Sequence, residues 1–412
     1  MVAAALEQIQ YFAPTRRAAY VRIIVAGLAA VILAKSIDFF EHGFWKADQG
    51  TDFAAFYIVA QRVWLGDVDL AYHFQTFMKM QAELSNAATS FMPWTYPPQF
   101  DVLLAPLAFL PGWAAYLIFV AVTLGAYLVT LRVLAATRFV HVLIVSSPAI
   151  AVTIGSGQNG FLTGALLGIA CINVEKRPVL AGIALGAMII KPHLAIAVGV
   201  YMLLTKRWLV IAAAGVTIIL SALICTVLFT PTIWGAWSDG VRESVSYLEE
   251  GRYPLFRMIS AYAVLYPIVG SSIAASGQAI TVCLALCTLT LGVARGPSSR
   301  FALGVAVLTS VMLSPYAYDY DLPITGVALA LLLPDFSALA TLRERGLMYG
   351  LLMFAGSYGL LRTAMHTGTA NGYVGRVFEA SLSGAALMVL LLLVLHATLR
   401  WTRHERLAER AD

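Results

Sequence analysis

Charged residues are scarce in this chain of 412 residues, since they make up only 12% of it while hydrophobic residues make up 60%. Soluble domains carry about 25% charged residues, so this composition excludes a fold that faces water on all sides. Apolar runs of about 18 to 25 residues recur from end to end, which is the length of helix that crosses a bilayer. The sequence therefore predicts an all-α, polytopic integral membrane protein, one domain over residues 1–412, with about 11 to 13 membrane helices.

Cysteine is almost as rare, and the few thiols exclude a disulfide framework and a thiol metal site. Only two of the four cysteines share a helix face, at a spacing of i,i+4, and two thiols alone make a poor metal site. All four lie in apolar segments and are interpreted as small buried hydrophobic residues. They are Cys171, Cys225, Cys283 and Cys287.

Long basic stretches are also missing, although the formal net charge is +5. The basic residues lie in short loops between apolar runs, where they act as topology signals rather than as a nucleic-acid surface. No cleavable signal peptide is apparent, because three arginines precede a full-length apolar run, which indicates an uncleaved anchor with a cytoplasmic start. The basic loops then place residues 41–98 and 230–257 on the extracytoplasmic side. We expect a multi-pass protein of a bacterial inner membrane, with these two segments on the periplasmic side.

The two outer segments contain further helical patterns. In the first, residues 53–65 and 72–86 read as helices. In the second, residues 234–249 carry an apolar stripe of Trp234, Trp237, Val241, Val245 and Leu248. Amphipathic helices of this kind lie along a membrane surface, with tryptophans at headgroup level. We therefore expect surface helices that cap an outer cavity. Short apolar runs near 98–110 and 256–269 either cross the membrane or dip into it.

An aspartate stands where the chain leaves its first apolar run, in "GTDFAAFYIVAQRVWLGD" at 50–67. Asp52 begins a helix just outside the membrane, where partial desolvation tunes a carboxylate towards proton abstraction. The simpler interpretation is an acid at a helix N-terminus that interacts favourably with the macrodipole. The residue alone does not decide between the two.

Polar residues recur at four other membrane borders. "TYPPQFDVLLAPLAFLP" at 95–111 begins with a rigid Pro-Pro turn, and "IGSGQNGFL" at 154–162 is a glycine-rich break with two amides. "AGIALGAMIIKPHLA" at 181–195 places Lys191 deep in an apolar run, where a lysine costs several kcal/mol without a partner. "LSPYAYDYDLPI" at 313–324 sets two aspartates among three tyrosines.

These motifs, in this order, resemble glycosyltransferase family 87. The matching positions are Asp52, Gly66-Asp67, Tyr72, Tyr96-Pro97-Pro98, Ala105-Pro106-Leu107, Gly157-Gln158-Asn159, Ala181-Gly182, Lys191-Pro192, Ser314-Pro315-Tyr316 and Tyr320-Asp321. The resemblance covers roughly residues 25–335, and the ordered set is more specific than any one motif. The family belongs to the GT-C superfamily and includes a mycobacterial mannosyltransferase that acts on phosphatidylinositol mannosides. This chain departs from those members near Asp319–Asp321, where they tend to have histidine.

The resemblance implies that a sugar, here a hexose and by analogy mannose, is moved from a polyprenyl-phosphate donor to a lipid or glycan hydroxyl. It also implies inversion on the outer face, with Asp52 as general base and Lys191 directed at the lipid phosphate. No cofactor and no metal is expected, although Asp52, Asp319 and Asp321 are conceivable metal ligands. The other expected substrate contacts are His193, Tyr96, Gln158, Asn159, Arg257, Tyr318, Asp319, Asp321 and His366.

Physical chemistry points the same way as the resemblance. An alcohol acceptor needs a base because its hydroxyl is a poor nucleophile at neutral pH. A phosphate leaving group needs no general acid, but a nearby cation such as Lys191 or Arg257 stabilises its charge.

Two other interpretations stay open at this point. The first is a secondary transporter or lipid flippase, with Lys191, the break at 155–159 and the Asp319/Asp321 pair lining a substrate path. Against it, the two halves of the chain contain no internal repeat. The second is a non-catalytic subunit of a polysaccharide assembly complex, in which Asp52 would tolerate replacement by Asn.

Overall fold

The computed structural model describes residues 2–43, 45–46, 49–50, 52–85, 92–366 and 380–408. These residues fold almost entirely into α-helices. The first nine are α1 (Val2–Gln8), α2 (Pro14–His42), α3 (Asp52–Leu65), α4 (Phe74–Ser85), α5 (Pro98–Leu104), α6 (Gly112–Ala135), α7 (Phe139–Ser156), α8 (Gly160–Asn173) and α9 (Pro178–Ala187). The next nine are α10 (Ile196–Leu204), α11 (Trp208–Phe229), α12 (Thr232–Glu249), α13 (Ala261–Val269), α14 (Ser271–Arg295), α15 (Ser299–Ser310), α16 (Pro323–Leu339), α17 (Leu342–His366) and α18 (Leu382–Ala408). Two short strands, β1 (Trp45–Lys46) and β2 (Gln49–Gly50), pair antiparallel.

Five stretches of the described chain are helical, long and apolar enough to cross a membrane. They are Pro14–His42, Gly112–Ser156, Trp208–Phe229, Ser271–Arg295 and Leu382–Trp401. The second of these is broken at Ala136, where φ is 49°, and so consists of α6 and α7. The all-α, polytopic class predicted from the sequence is confirmed. The total of about 11 to 13 membrane helices stays a prediction, because the other apolar helices of the described chain have 10 to 17 residues.

The two runs that the sequence left undecided are too short to cross alone. α5 and the 3-10 turn Ala105–Phe109 that continues it contain 7 and 5 residues, and α13 contains 9. At about 1.5 Å per residue, neither reaches the roughly 30 Å of a hydrocarbon core. Whether these two segments cross or dip into the membrane stays open.

Lys191 lies at a break between two short helices. α9 ends in a 3-10 turn, Met188–Ile190, and a second turn, Pro192–Leu194, leads into α10. The backbone of Lys191 itself is not helical, with φ −148° and ψ 68°. Proline has no N–H to continue a helix and disfavours helical geometry at the residue before it. The sequence Lys191-Pro192 thus explains why the lysine interrupts the helical path.

α3 is packed more deeply than a surface helix would be. Phe53, Phe56 and Val59 are buried, and Tyr57 Oη donates a hydrogen bond to Leu110 O at 2.9 Å. Trp64 Nε1 donates to Ala105 O at 2.8 Å. These contacts fix α3 against the turn that follows α5, so the helix that begins at Asp52 belongs to the core.

α12 is amphipathic, but its apolar stripe differs from the predicted one. Val245, assigned to the buried stripe, is 41% exposed, whereas Gly240 and Ser244 are buried. The reason is close packing, because a Cβ atom at Gly240 would lie 2.7 Å from Tyr72 O. A helix approaches a backbone segment this closely through small side chains. The tryptophans donate hydrogen bonds to the protein, Trp234 to Thr226 Oγ1 (2.8 Å) and Trp237 to Thr95 O (3.2 Å).

The prediction that all four cysteines are buried is half correct. Cys171 and Cys225 are buried, while Cys283 and Cys287 are exposed on α14. Their neighbours Ile273 and Ile280 are 60% and 69% exposed, as expected for a helix face in contact with lipid. A hydrophobic residue in a membrane helix can face either the protein interior or the lipid, so hydrophobicity alone did not predict burial inside the protein.

Candidate active site

Three carboxylates and two cations from distant parts of the chain meet at one place. Asp52 is the first residue of α3, Arg257 ends the 3-10 turn Leu255–Arg257, and Asp319 and Asp321 lie in the turn between α15 and α16. Arg257 donates to both oxygens of Asp319, from Nε and Nη2, each at 3.2 Å. Lys191 Nζ donates to Asp321 Oδ1 at 2.6 Å. The same Arg257 Nη2 lies 3.8 Å from Asp52 Oδ2, so one guanidinium connects the two acids.

The turn that carries Asp319 and Asp321 is held on several sides. Tyr318 N donates to Asp321 Oδ2 at 3.1 Å. The backbone of Tyr318 also forms an isolated antiparallel β-bridge with Met258, the residue after Arg257. Thr153 Oγ1 of α7 donates to Tyr320 O at 3.2 Å. Backbone contacts therefore align the segment of Arg257 with the segment of its partner carboxylate.

Two glycines allow this turn to sit deep between helices. A Cβ atom at Gly160, at the start of α8, would collide with the carbonyl oxygen of Tyr320. A Cβ atom at Gly359 of α17 would collide with Asp319 Oδ2. Sequence reasoning missed Gly359 and Thr153, since small residues are common in apolar helices and only tertiary packing distinguishes these two.

The glycine-rich break predicted at 154–162 supplies a polar wall. α7 ends at Gly157, whose φ of +67° favours glycine, and the two amides follow directly. Gln158 Oε1 accepts from Tyr96 Oη at 2.9 Å and from Asn159 N at 3.3 Å. The amide nitrogen of Gln158 interacts in turn with the Asp52 carboxylate. Tyr96, Gln158 and Asp52 thus form one connected row.

Several predicted contact residues surround this row. Lys191 Nζ lies 4.7 Å from the ring centre of Tyr320 and 5.7 Å from that of Tyr96. The rings of Tyr318 and Tyr320 stack with centres 5.2 Å apart. Asn159 is fully buried, and within the described chain both of its side-chain polar atoms lack a partner.

Two predicted histidines differ from the other residues. His193 follows Lys191 in the turn before α10, and its buried Nε2 has no hydrogen-bond partner among the described residues. His366 is the last residue of α17, but its side chain lies outside the described part of the chain. The structure therefore brings together the predicted site residues apart from His366.

The three carboxylates differ in their access to solvent. The side chain of Asp52 is 16% exposed, compared with 1% for Asp319 and 0% for Asp321. Partial burial raises the pKa of Asp52 above that of an ordinary aspartate, while Arg257, Gln158 and Lys191 oppose this rise. Asp321 is paired with Lys191 and Asp319 is held by two nitrogens of Arg257, whereas Asp52 lies only at 3.8 Å from that same guanidinium. Asp52 is the carboxylate of this cluster that has both solvent access and increased basicity.

In a metal site these carboxylates would bind a metal ion, whereas here their partners are groups of the protein. Oxygens of Asp319 and Asp321 accept from Arg257, Lys191 and Tyr318 N. Across the described ranges, no three His, Cys, Asp or Glu side chains gather as metal ligands. Chemically, the cluster can deprotonate a hydroxyl at Asp52 and stabilise an anion at the neighbouring cations.

Comparison with known proteins identifies the family. No curated protein and no solved structure matches this chain. The family model of glycosyltransferase family 87 matches residues 94–315, which is more than half of the chain. The match includes Tyr96, Gln158, Lys191 and Arg257, and the turn with Asp319 and Asp321 follows directly after it. The chain belongs to glycosyltransferase family 87.

Proposed function

We propose that this membrane glycosyltransferase moves a hexose, with mannose as the first candidate, from a polyprenyl-phosphate donor to a hydroxyl of a lipid or glycan. The transfer takes place on the extracytoplasmic side of the inner membrane and inverts the anomeric carbon. Family membership supports the reaction class. The donor, the sugar and the side of the membrane rest on the resemblance and on the distribution of basic loops.

One observation carries the proposal for Asp52 as the general base. Asp52 is the only one of the three clustered carboxylates with appreciable exposure, at 16% of its side chain. A base must reach the proton it removes, and the buried Asp319 and Asp321 are already engaged by Arg257 and Lys191. Its raised pKa makes Asp52 a stronger base than a fully hydrated aspartate.

The two cations are our candidates for the leaving phosphate. A lysine ammonium has three N–H donors, of which Asp321 takes one. Arg257 uses Nε and Nη2 for Asp319, and within the described chain its Nη1 has no hydrogen-bond partner. Each cation therefore keeps donors for an anion, and we assign the phosphate to Lys191 with Arg257 beside it.

Sugar hydroxyls are the natural partners for the unpaired polar groups of the wall. Asn159 offers both a donor and an acceptor without a partner in the described structure, and His193 offers Nε2. The ring of Tyr96 lies 5.7 Å from Lys191 Nζ, and the ring of Tyr318 stacks on that of Tyr320. We infer that these four residues, with Gln158, contact the donor sugar. Family membership favours this transferase over the transporter and the non-catalytic subunit.

The test compares wild type with Asp52→Asn in detergent, each supplied with polyprenyl-phosphate-linked sugars. Mass spectrometry follows loss of the donor and its slow hydrolysis without acceptor. Asn keeps the volume of Asp but cannot accept the proton, so we expect turnover to fall by about 10²- to 10⁴-fold. Asp69→Asn is the matched control, because Asp69 is an exposed acid of the same outer segment.

Each outcome of this test decides something. Turnover in wild type and in Asp69→Asn, but not in Asp52→Asn, supports the proposal and identifies the sugar. Full turnover in Asp52→Asn would refute Asp52 as the base. If wild type turns over no donor while both proteins bind the lipid equally, the transporter interpretation returns.

A further inference from the structure

A fourth carboxylate lies inside the protein without a cation. Asp101 of α5 is completely buried, and no ion pair of the described chain involves it. Its two oxygens have defined partners: Trp94 Nε1 donates to Oδ1 at 3.0 Å, and Tyr72 Oη lies 2.7 Å from Oδ2. The ring of Trp94, which donates to it, packs against the rings of Tyr96 and Phe100. An ionised carboxylate without a counter-charge is very costly in such surroundings.

The hydrogen-bond geometry around Tyr72 requires an additional proton. Tyr72 Oη lies within hydrogen-bond distance of two oxygens, Tyr96 O at 3.0 Å and Asp101 Oδ2 at 2.7 Å. A phenol has one proton, and a single proton cannot lie along both contacts. A backbone carbonyl carries no proton, so the second proton belongs to Asp101. Asp101 then donates to Tyr72, and Tyr72 donates to Tyr96 O.

We propose that Asp101 is a neutral carboxylic acid that acts as a positioning residue for the base Asp52. Through Tyr72 it fixes the backbone of Tyr96, and through Trp94 it fixes the segment that leads into α5. Tyr96 Oη donates to Gln158 Oε1, which turns the amide nitrogen of Gln158 towards Asp52. The role of this row in catalysis rests on the proposed function of Asp52, whereas the protonation of Asp101 does not.

A neutral acid suits this position for an electrostatic reason. The cluster already contains Asp52, Asp319 and Asp321 against two cations, Lys191 and Arg257. Another buried negative charge would oppose the binding of an anionic donor. A protonated carboxyl group supplies one donor and one acceptor and adds no charge to the site.

The test uses infrared difference spectroscopy on the purified full-length protein. A carboxylic acid has a C=O stretching band that a carboxylate lacks, so the spectrum of wild type minus Asp101→Asn should contain this band at neutral pH. Asp239→Asn is the control, since Asp239 is an exposed acid on α12 and its difference spectrum should lack the band. Absence of the band from the Asp101→Asn difference overturns the protonation of Asp101.

The positioning role is tested with two replacements of similar size. Asn keeps an acceptor for Trp94 and a donor for Tyr72, whereas Leu keeps neither. We expect Asp101→Asn to retain most of the turnover and Asp101→Leu to lose about 10²-fold in kcat, because a displaced base costs that order of rate. A loss in Asp101→Asn as large as in Asp101→Leu, or no loss in either, overturns the positioning role.

A second readout does not depend on turnover. The pH at which Asp52 titrates is read from the carboxylate bands that disappear in Asp52→Asn. It should shift in Asp101→Leu, where Gln158 is no longer fixed, and stay in place in Asp101→Asn. An unchanged titration in Asp101→Leu overturns the link to Asp52, even if no donor is turned over. If wild type turns over no donor but the titration shifts as expected, the proposed function fails and the positioning inference stands.

Discussion

The pair Lys191–Asp321 allows a double-mutant test that separates folding from donor binding. Lys191 Nζ lies 2.6 Å from Asp321 Oδ1, and the two side chains are 8% and 0% exposed. Lys191→Met removes the cation and leaves Asp321 with the N–H of Tyr318 as its remaining hydrogen bond in the described structure. Asp321→Asn removes the negative charge with little change in shape. The double replacement removes both charges and keeps the volumes nearly constant.

The expected magnitudes follow from the burial of the pair. Removing one partner of a buried ion pair costs about 3–5 kcal/mol, because the remaining charge has no compensation. Replacing both partners by neutral groups of similar size is often neutral or stabilising. We therefore expect Lys191→Met to lower the free energy of unfolding by about 3 kcal/mol or more, and the double variant to recover most of this loss.

Stability is measured by thermal unfolding in detergent, followed by the fluorescence of the eight tryptophans. Donor binding is then measured on the folded double variant. If Lys191 holds the phosphate, this variant folds but binds the polyprenyl-phosphate donor more weakly than Asp321→Asn does. Equal stability of Lys191→Met and wild type would refute the reasoning on the buried pair. Undiminished donor binding by the double variant would refute the assignment of the phosphate to Lys191.

Three further predictions concern the same site. The acid limb of kcat/KM should lie above the pKa of an ordinary aspartate, because the base is inactive when protonated and burial raises the pKa of Asp52. Arg257 lowers this pKa, so Arg257→Met should move the acid limb to still higher pH. Arg257→Lys keeps the charge and should move it less. An acid limb that stays in place in Arg257→Met would contradict the interaction of Arg257 with Asp52. Gly160→Ala should reduce turnover strongly by displacing Tyr320, whereas Gly155→Ala should not, because a Cβ atom there has open space. Equal turnover of the two variants would contradict the packing argument.

Much of the helical architecture could be predicted because the membrane restricts the chain to helices, and apolar length marks each one. Local signals were equally reliable where one residue type decides the geometry. The Pro-Pro turn lies where α5 begins, and the glycine-rich motif predicted the end of α7 at Gly157. The helices predicted at 53–65, 72–86 and 234–249 begin and end within two residues of those limits.

What the sequence could not predict depends on contacts between distant segments. Lys191 was expected to face the donor, but its partner Asp321 lies 130 residues further along the chain. Val245 was wrongly assigned to the buried face of α12, where Gly240 packs on the backbone of Tyr72. Sequence reasoning did not single out Asp101 in "PPQFDVLLAP", because only its contacts with Tyr72 and Trp94 distinguish it. The sequence pattern shows how apolar each residue is, but it does not show which distant residues it contacts in the fold.

The tight seating of the Tyr320 turn has a consequence for how the enzyme tolerates different substrates. The Thr153 hydroxyl and the two close glycines leave the carboxylates of Asp319 and Asp321 little freedom to reorient. A preorganised polar site costs little reorganisation when charge develops in the transition state. The same rigidity prevents the turn from adapting its shape to acceptors of different size. Differences in acceptor choice between related enzymes should therefore arise outside this turn, and the turn itself should set the chemistry that all of them share.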